Sequence, residues 1–194
     1  MIKYPVVLQN VVPEETQEEL KTIMFETLFP WFLQRSLSNS CPTNFTENFS
    51  SAPGFAHVFY NENGMIGNFY NYIKPVIDAS CIQLGIEYKG LYYGRAFLQN
   101  PLTTHSGLTT PHIDTAQNHI VLIYYVIDSD GETVIFNKSA DSKLEEITQI
   151  NKENIVQKIM PRQGNVLAFN GNTYHANILP KEHMRCIINF NLIV

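Results

Sequence analysis

The strongest indication of the fold is a series of short strand-like segments in the second half of the chain. From residue 88 onward, apolar runs rich in β-branched and aromatic residues alternate with turn sequences such as Asp130-Gly131 and Asn170-Gly171-Asn172. The runs occupy residues 91–98, 119–127, 133–136, 155–160, 166–169 and 186–194. Short strands separated by turns at this spacing are typical of a β-sandwich or barrel.

The first half of the chain predicts helices that support these strands. A short strand at residues 6–8 is followed by a helix that begins near Pro13 and has apolar residues from Leu20 to Leu28 at helical spacing. A strand at 55–60 precedes a second helical stretch at 65–84, which Pro75 is expected to kink or restart. Helices first and strands second indicate a mainly β fold with N-terminal helices, a jelly roll. No linker divides the chain, so we expect a single domain over residues 1–194, with helical support to about 87 and a jelly-roll core from about 88.

The bulk composition limits the partners and the compartment. The chain has 194 residues, of which 44% are hydrophobic, and its formal net charge of -5 argues against binding to a nucleic-acid backbone. Its three cysteines lack CxxC spacing, and we find neither a signal peptide nor an apolar run of roughly 20 residues. We therefore expect a cytoplasmic protein that does not enter a membrane.

The triplet His112-Ile113-Asp114 is the first candidate metal-binding motif. In an extended segment, residues two apart point to the same face, so His112 and Asp114 can reach one metal ion. A third ligand has to come from a distant strand. His175, which follows the run 166–169 and a turn, is the preferred candidate, and His183 is its chief competitor. Two imidazoles and one carboxylate are the set that binds Fe(II) and leaves the opposite face open, although the same ligands also suit zinc or manganese.

Arg185, ten positions after His175, is a candidate anchor for an acidic ligand. It begins an otherwise nearly apolar strand, so its guanidinium would have to enter the barrel or lie at its rim. A buried guanidinium requires a carboxylate partner, and its planar fork matches a carboxylate at two points. The distal carboxylate of 2-oxoglutarate would satisfy it, and a surface acid is the alternative partner. The remaining histidines are interpreted as surface or supporting residues: His57, His105, His119 and His183.

These motifs resemble the core of the 2-oxoglutarate/Fe(II)-dependent oxygenases, and within them the prolyl hydroxylase branch. The resemblance rests on the HxD triplet at 112–114, the apolar strand at 120–126, the Gly131-Glu132-Thr133 strand, the segment 160–169 and Tyr174-His175-Ala176. It covers about residues 90–194 and implies a double-stranded β-helix of the cupin-like type. The sequence departs from the family where Asp130-Gly131 replaces a doubled glycine.

The resemblance also implies a role for each candidate residue. The ligands of Fe(II) would be His112, Asp114 and His175. Arg185 would bind the distal carboxylate of 2-oxoglutarate. Tyr125 aligns with a tyrosine that donates a hydrogen bond to the same carboxylate, and the neighbouring Tyr124 is the alternative.

The function implied by the resemblance is a dioxygenase that hydroxylates an unactivated C–H bond. It would use Fe(II), 2-oxoglutarate and O2, release succinate and CO2, and take ascorbate as an accessory reductant. The prolyl hydroxylase branch favours a peptidyl or free proline, while a small-molecule substrate stays open, as does the oligomeric state. Arg95 is a candidate substrate contact, and the loop 38–54 and the segment 99–110 are candidate lids.

Two other functions are consistent with parts of this pattern. An oxygenase that acts on a nucleic-acid base would use the same iron ligands, but the acidic balance and the absence of a Lys/Arg cluster count against it. A jelly-roll module that binds a sugar or an acidic ligand without catalysis would explain the fold. Such a module has no need for both a complete metal triad and Arg185. Formation of succinate from 2-oxoglutarate separates the two enzymes from the module.

Overall fold

The protein is mainly β with N-terminal helices, as the sequence predicts. Its structure, a computed structural model, describes residues 2–37, 45 and 48–194. Within these residues the strands are β1 Val6–Leu8, β2 Phe32–Gln34, β3 Gly54–Asn61, β4 Gly64–Met65, β5 Gly90–Gln99, β6 Ile120–Tyr125, β7 Thr133–Ser139, β8 Ile155–Ile159, β9 Val166–Asn170, β10 Thr173–Asn177 and β11 Arg185–Ile193. The helices are α1 Glu14–Phe25, α2 Tyr70–Leu84 and α3 Leu144–Thr148, and a 3-10 turn spans Lys152–Asn154.

The named strands form two sheets in which every pair is antiparallel. The major sheet has the order β1-β9-β6-β11-β5-β3-β2, with β4 paired to β3, and the minor sheet has the order β10-β7-β8. Several neighbouring strands of the major sheet, such as β5 and β11 or β6 and β9, come from distant parts of the chain. The topology therefore brings residues before 100, around 120 and after 185 side by side.

Alternate residues of the major sheet face two different cores, because side chains point to opposite faces of a strand in turn. On β6, Ile123 and Tyr125 pack with Ile135 of the minor sheet. Leu122 and Tyr124, on the same strand, belong to a separate core on the opposite face. The two sheets thus enclose one core between them, and the second core lies outside the major sheet.

The helices cover the outer face of the major sheet. Leu20 and Met24 of α1, and Ile73 and Ile77 of α2, are four residues apart and so lie on one face of each helix. These side chains are buried in the same core as Phe190 of β11. The amphipathic N-terminal helices therefore close the side of the jelly roll that the minor sheet leaves open.

Several elements differ from the expectation. Besides the two expected strands, which correspond to β1 and β3, residues before 88 supply β2 and β4 to the major sheet, so this region is more than helical support. Helix α1 ends at Phe25, and Leu28 beyond it is 90% exposed. Helix α2 continues through Pro75, because burial of the neighbouring residues Ile73 and Val76 holds the helix against the sheet.

Some features of the sequence lie partly outside the described residues. Positions 38–44 and 46–47 of the loop predicted at 38–54 are among these, and so is Cys41. At the described end of the loop, the backbone N–H of Ser50 donates to the carbonyl of Leu108 at 2.8 Å. Cys81 and Cys186 are buried free thiols. In the part of the chain that the structure describes, no helix is both long and apolar enough to cross a membrane.

Candidate metal centre and its cavity

Backbone pairing brings His112 and His175 together. Residues 108–112 run antiparallel beside β10, and the N–H of Thr109 donates to the carbonyl of Asn177 at 2.8 Å. His112 and His175 exchange two backbone hydrogen bonds, of 2.9 and 3.0 Å. A directly opposed pair of this kind places both side chains on the same face. Their ring centroids are accordingly 4.6 Å apart.

His175 lies in a strand that the sequence does not predict. It is the third residue of β10. Only two residues separate β10 from β9, so β9, the turn and β10 form a tight connection that passes from the major to the minor sheet. This connection presents His175 to the space between the sheets.

Asp114 joins the two histidines from the position two residues after His112. Its side chain is 4% exposed, and its Oδ1 lies 3.8 Å from the Nε2 atoms of both His112 and His175. Its Oδ2 accepts hydrogen bonds from the Nδ2 atoms of Asn189 (3.0 Å) and Asn191 (2.8 Å) of β11. The two amides fix one carboxylate oxygen and leave the other directed at the imidazoles.

The hydrogen bonds of the two imidazoles define their tautomers. Nδ1 of His112 lies 3.0 Å from the carbonyl of Thr110, and Nδ1 of His175 lies 3.2 Å from the carbonyl of Thr173. A carbonyl oxygen only accepts, so both Nδ1 atoms carry a proton, and in the neutral tautomer this leaves the lone pair on Nε2. Three hydrogen-bond acceptors thus lie within 4.8 Å of one another. Such a cluster is unfavourable unless a cation lies among them, and the donor set fits a divalent metal.

The protonation states agree with this assignment. Burial alone would raise the pKa of Asp114, but the imidazoles of His175 and His112 and the two asparagine amides lower this pKa far below its usual range. Burial, together with the neighbouring His112, lowers the pKa of His175 to about 4. At neutral pH the site therefore holds an anionic carboxylate beside a neutral His175. Metal ligands have to be in these deprotonated forms.

Arg185 is buried in the same cavity, which has a volume of about 230 Å³. Its Nε donates to the carbonyl of Gly131 at 2.9 Å, and one terminal nitrogen donates to Oγ1 of Thr133 at 3.0 Å. Among the described residues, no carboxylate forms an ion pair with it. Burial lowers the pKa of Arg185 to about 10, so the group stays charged at neutral pH. A buried guanidinium without a counter-ion fits an anionic ligand.

Glycine at position 131 allows Arg185 to take this path. A Cβ atom there would lie 2.8 Å from Cδ of Arg185 and 3.2 Å from the carbonyl oxygen of Ile178. Asp130, directly before it, accepts hydrogen bonds from the backbone N–H groups of residues 181–183 and so fixes the turn that leads into β11. The Asp130-Gly131 pair, where the sequence departs from a doubled glycine, thus positions Arg185 from two sides.

The two neighbouring tyrosines point in opposite directions. The hydroxyl of Tyr125 donates to Oγ1 of Thr133 at 3.0 Å, the same atom that accepts from Arg185. Burial raises the pKa of Tyr125 to about 12, against the hydrogen bond to Thr133 and the charge of Arg185. Tyr124 belongs to the core on the helix side, and its hydroxyl has no partner among the described residues. Of the two alternatives, Tyr125 lies in the network of Arg185.

The other predicted candidates lie at different positions. Arg95 lines the cavity. His183 is exposed in the turn before β11, and the group of potential metal ligands found among the described residues does not include it. His57 and His119 are buried, so of the two predicted alternatives, surface or supporting residue, the surface position is wrong for both. The ring of His57 packs among phenylalanines, and the ring of His119 covers Gly171.

Sequence reasoning missed three polar residues of the site: Thr133, Asn189 and Asn191. The two asparagines are polar positions two apart in a nearly apolar strand, so they share one face of β11. A buried amide has to find a hydrogen-bond partner. Two amides on one face of an apolar strand therefore indicate a polar partner on that face, and this feature of the sequence could have identified both asparagines. Thr133 was noticed only as part of a strand motif, and its contact with both Tyr125 and Arg185 was not expected.

The architecture is the double-stranded β-helix fold of the 2-oxoglutarate/Fe(II) oxygenases, and the predicted jelly roll is confirmed. The chain is similar to a 2OG-Fe(II) oxygenase family oxidoreductase from Burkholderia pseudomallei (TM-score 0.67, 10% identity, covering 97% of this chain and 84% of that one). It is also similar to a prolyl hydroxylase from Trichoplax adhaerens, solved with a hypoxia inducible factor peptide fragment. The TM-score is 0.61 and the identity 11%, and the match covers 97% of this chain and 83% of that one. A third similar structure is the viral collagen prolyl hydroxylase of Paramecium Bursaria Chlorella virus-1. The TM-score is 0.58 and the identity 13%, and the match covers 99% of this chain and 97% of that one. The sequence matches no protein-family model and none of the curated proteins with which it was compared.

Proposed function

We propose that the protein is a 2-oxoglutarate- and Fe(II)-dependent dioxygenase that hydroxylates an unactivated C–H bond. One observation carries the proposal: three metal-ligand atoms within 4.8 Å of one another share a cavity with a buried guanidinium that has no carboxylate partner among the described residues. A metal site alone would suit many proteins, and an arginine alone would suit any acid. The combination suits a metal enzyme with an acidic cosubstrate.

The metal would be held by Nε2 of His112, Nε2 of His175 and Oδ1 of Asp114. When bound, Fe(II) together with 2-oxoglutarate and O2 supplies the oxidising chemistry, with succinate and CO2 as coproducts and ascorbate as an accessory reductant. The chain keeps these ligands ready through the backbone carbonyls that fix both imidazole tautomers. Asn189 and Asn191 prevent rotation of the carboxylate by holding its other oxygen.

Arg185 would bind the distal carboxylate of 2-oxoglutarate with the help of Thr133. Oγ1 of Thr133 already accepts hydrogen bonds from Tyr125 and Arg185. Its own proton is therefore free to be donated to a ligand oxygen. Tyr125 would act through Thr133, because its hydroxyl donates to that residue. The apolar side chains of Ile123 and Ile187 line the cavity as well, and they exclude water from this carboxylate.

The substrate in this proposal is peptidyl or free proline, or a small molecule of similar size. Prolyl hydroxylases among the similar structures, including one from Pseudomonas putida, support proline. Two similar structures from nogalamycin biosynthesis are an epimerase and a carbocyclase, so the fold accommodates several outcomes. Mass spectrometry of the product assigns the outcome, because hydroxylation adds one oxygen atom.

Anaerobic titration of the metal-free protein with Fe(II), and then with 2-oxoglutarate, tests the proposal. We expect a visible charge-transfer band when the keto acid chelates the bound iron, and its loss in His175→Ala. His183→Ala is the matched control, because His183 is exposed and lies outside the ligand cluster, and it should keep the band. Iron binding without the band would exclude 2-oxoglutarate as cosubstrate. Binding of neither would favour the non-catalytic module.

A further inference from the structure

We propose that Arg95 binds a carboxylate of the primary substrate, which makes the substrate an acid. This inference rests on the proposed function and specifies its substrate class. It concerns a second cationic group in the cavity, distinct from Arg185 and on a different part of the wall. The position of Arg95, its unsatisfied N–H group and the charge balance of the cavity support it independently.

Arg95 lies beside the strand residue that holds the candidate metal ligand Asp114. In the register of the major sheet, Arg95 of β5 is opposite Asn189 of β11, the residue that donates to Asp114. Arg185 is opposite Gln99, four residues further along β5. Four residues of a strand span about 13 Å, so the two arginines mark separate positions along the cavity. One cosubstrate anchored at Arg185 therefore leaves Arg95 for another ligand.

The guanidinium of Arg95 is oriented but not satisfied. Its central carbon lies 4.8 Å from the ring centre of Tyr93 and 5.7 Å from that of Phe97. Aromatic rings contact the face of a guanidinium and leave the N–H groups at its edge available. Nε of Arg95 is enclosed by neighbouring atoms and has no hydrogen-bond partner among the described residues. No described carboxylate pairs with the guanidinium, so its terminal N–H groups are the donors that a carboxylate of a ligand would meet.

The charge balance of the cavity points to the same ligand chemistry. The charged side chains among the described lining residues are Arg95, Arg185 and Asp114. A divalent metal adds two positive charges and 2-oxoglutarate adds two negative charges. One positive charge then remains, and it belongs to Arg95. A carboxylate on the substrate neutralises this charge, whereas a neutral or cationic substrate leaves a partly buried guanidinium unpaired.

Equilibrium binding to the protein loaded with Mn(II) and 2-oxoglutarate tests the inference without turnover. Calorimetry would compare matched acids and amides: L-proline against L-prolinamide, and C-terminally amidated proline-containing pentapeptides with glutamate against the same peptides with glutamine. We expect at least one acid to bind at least tenfold more tightly than its amide. Selectivity in the first pair would identify a free acid, and selectivity in the second would identify an acidic residue of a peptide.

Variants connect this selectivity to Arg95. Arg95→Gln should remove the difference between acid and amide, and Arg95→Lys, which keeps the charge but loses the planar fork, should keep part of it. Arg35→Gln is the matched control, because Arg35 is exposed and lies between Gln34 and Ser36, which line the cavity. The control should keep the full difference. Melting temperatures report whether each variant is folded.

The inference is overturned if no acid binds, if acids and amides bind equally, or if the difference persists in Arg95→Gln. Should that variant not fold, Arg95→Lys and the acid–amide comparison in the unmodified protein still decide the question. Failure of the proposed function is a separate result. It would appear as absence of 2-oxoglutarate binding in the titration with Fe(II), before any substrate is added.

Discussion

Replacing Arg185 with methionine should have opposite effects on folding and on binding. The guanidinium is 4% exposed and has no ion-pair partner among the described residues, so the protein without ligand buries an uncompensated charge. Burial lowers its pKa from 12.5 to about 10, which corresponds to about 3 kcal/mol against the charged form. Methionine keeps the unbranched first part of the side chain and carries no charge. It removes this cost from the folded state.

The substitution also removes a hydrogen bond from the folded state, and this loss of stability is similar in size to the gain from removing the buried charge. Without Arg185, the carbonyl of Gly131 loses its donor, at a cost of about 1–3 kcal/mol, while Thr133 keeps the hydrogen bond from Tyr125. The two effects nearly cancel, so the free energy of unfolding without ligand should change by less than about 2 kcal/mol. Binding is different, because two charge-assisted hydrogen bonds to the distal carboxylate are worth about 3–6 kcal/mol together. We therefore expect 2-oxoglutarate to bind at least about 100-fold more weakly.

Thermal unfolding of the Mn(II)-loaded protein, with and without 2-oxoglutarate, measures both effects. At a concentration of 100 times Kd, the ligand stabilises the unmodified protein by about 2.7 kcal/mol, and a 100-fold weaker Kd reduces this to about 0.4 kcal/mol. Arg162→Met is the control, because the side chain of Arg162 is 63% exposed and, among the described residues, pairs with Asp128 at the surface. Destabilisation of ligand-free Arg185→Met by more than about 4 kcal/mol, or an unchanged stabilisation by 2-oxoglutarate, would refute the reasoning.

Two further substitutions test the groups around the site. Asn191→Leu removes one of the two amides that hold Oδ2 of Asp114, and we expect affinity for Mn(II) to fall by about 10–100-fold in a titration. An unchanged affinity would mean that the amide does not position the carboxylate. Gly171→Ala should lower the melting temperature, because a Cβ atom there would overlap the imidazole ring of His119. Gly90→Ala, whose Cβ meets only Ile193 at 3.8 Å, should leave it nearly unchanged, and an equal effect of both would contradict the steric argument.

Local rules were sufficient for the two candidate ligands that are close in sequence. The i, i+2 rule placed His112 and Asp114 on one face without knowledge of the fold, and they do converge. The distance of His175 from the triplet in the sequence and its position after a turn favour it as the third candidate ligand. The backbone pairing that brings it to His112 involves β10, a strand that the sequence does not predict. Thr-Tyr-His-Ala-Asn lacks the apolar alternation that predicts a strand. Its strand conformation depends on pairing with β7.

The supporting polar residues could not be assigned, because their partners are defined by the order of the strands. Asn191 is 77 positions from Asp114, and Arg185 is 52 positions from Thr133. These contacts form because β11 lies between β5 and β6 and faces the minor sheet. That arrangement depends on the packing of both cores, which join residues far apart in the chain. A buried amide in an apolar strand needs a hydrogen-bond partner, and the sequence predicts this need. It does not predict which residue the partner is. Arg95 poses the same requirement. Among the described residues, aromatic rings contact the faces of its guanidinium, and no hydrogen-bond acceptor is found for its Nε. For this reason we assign an acceptor for this guanidinium to the substrate.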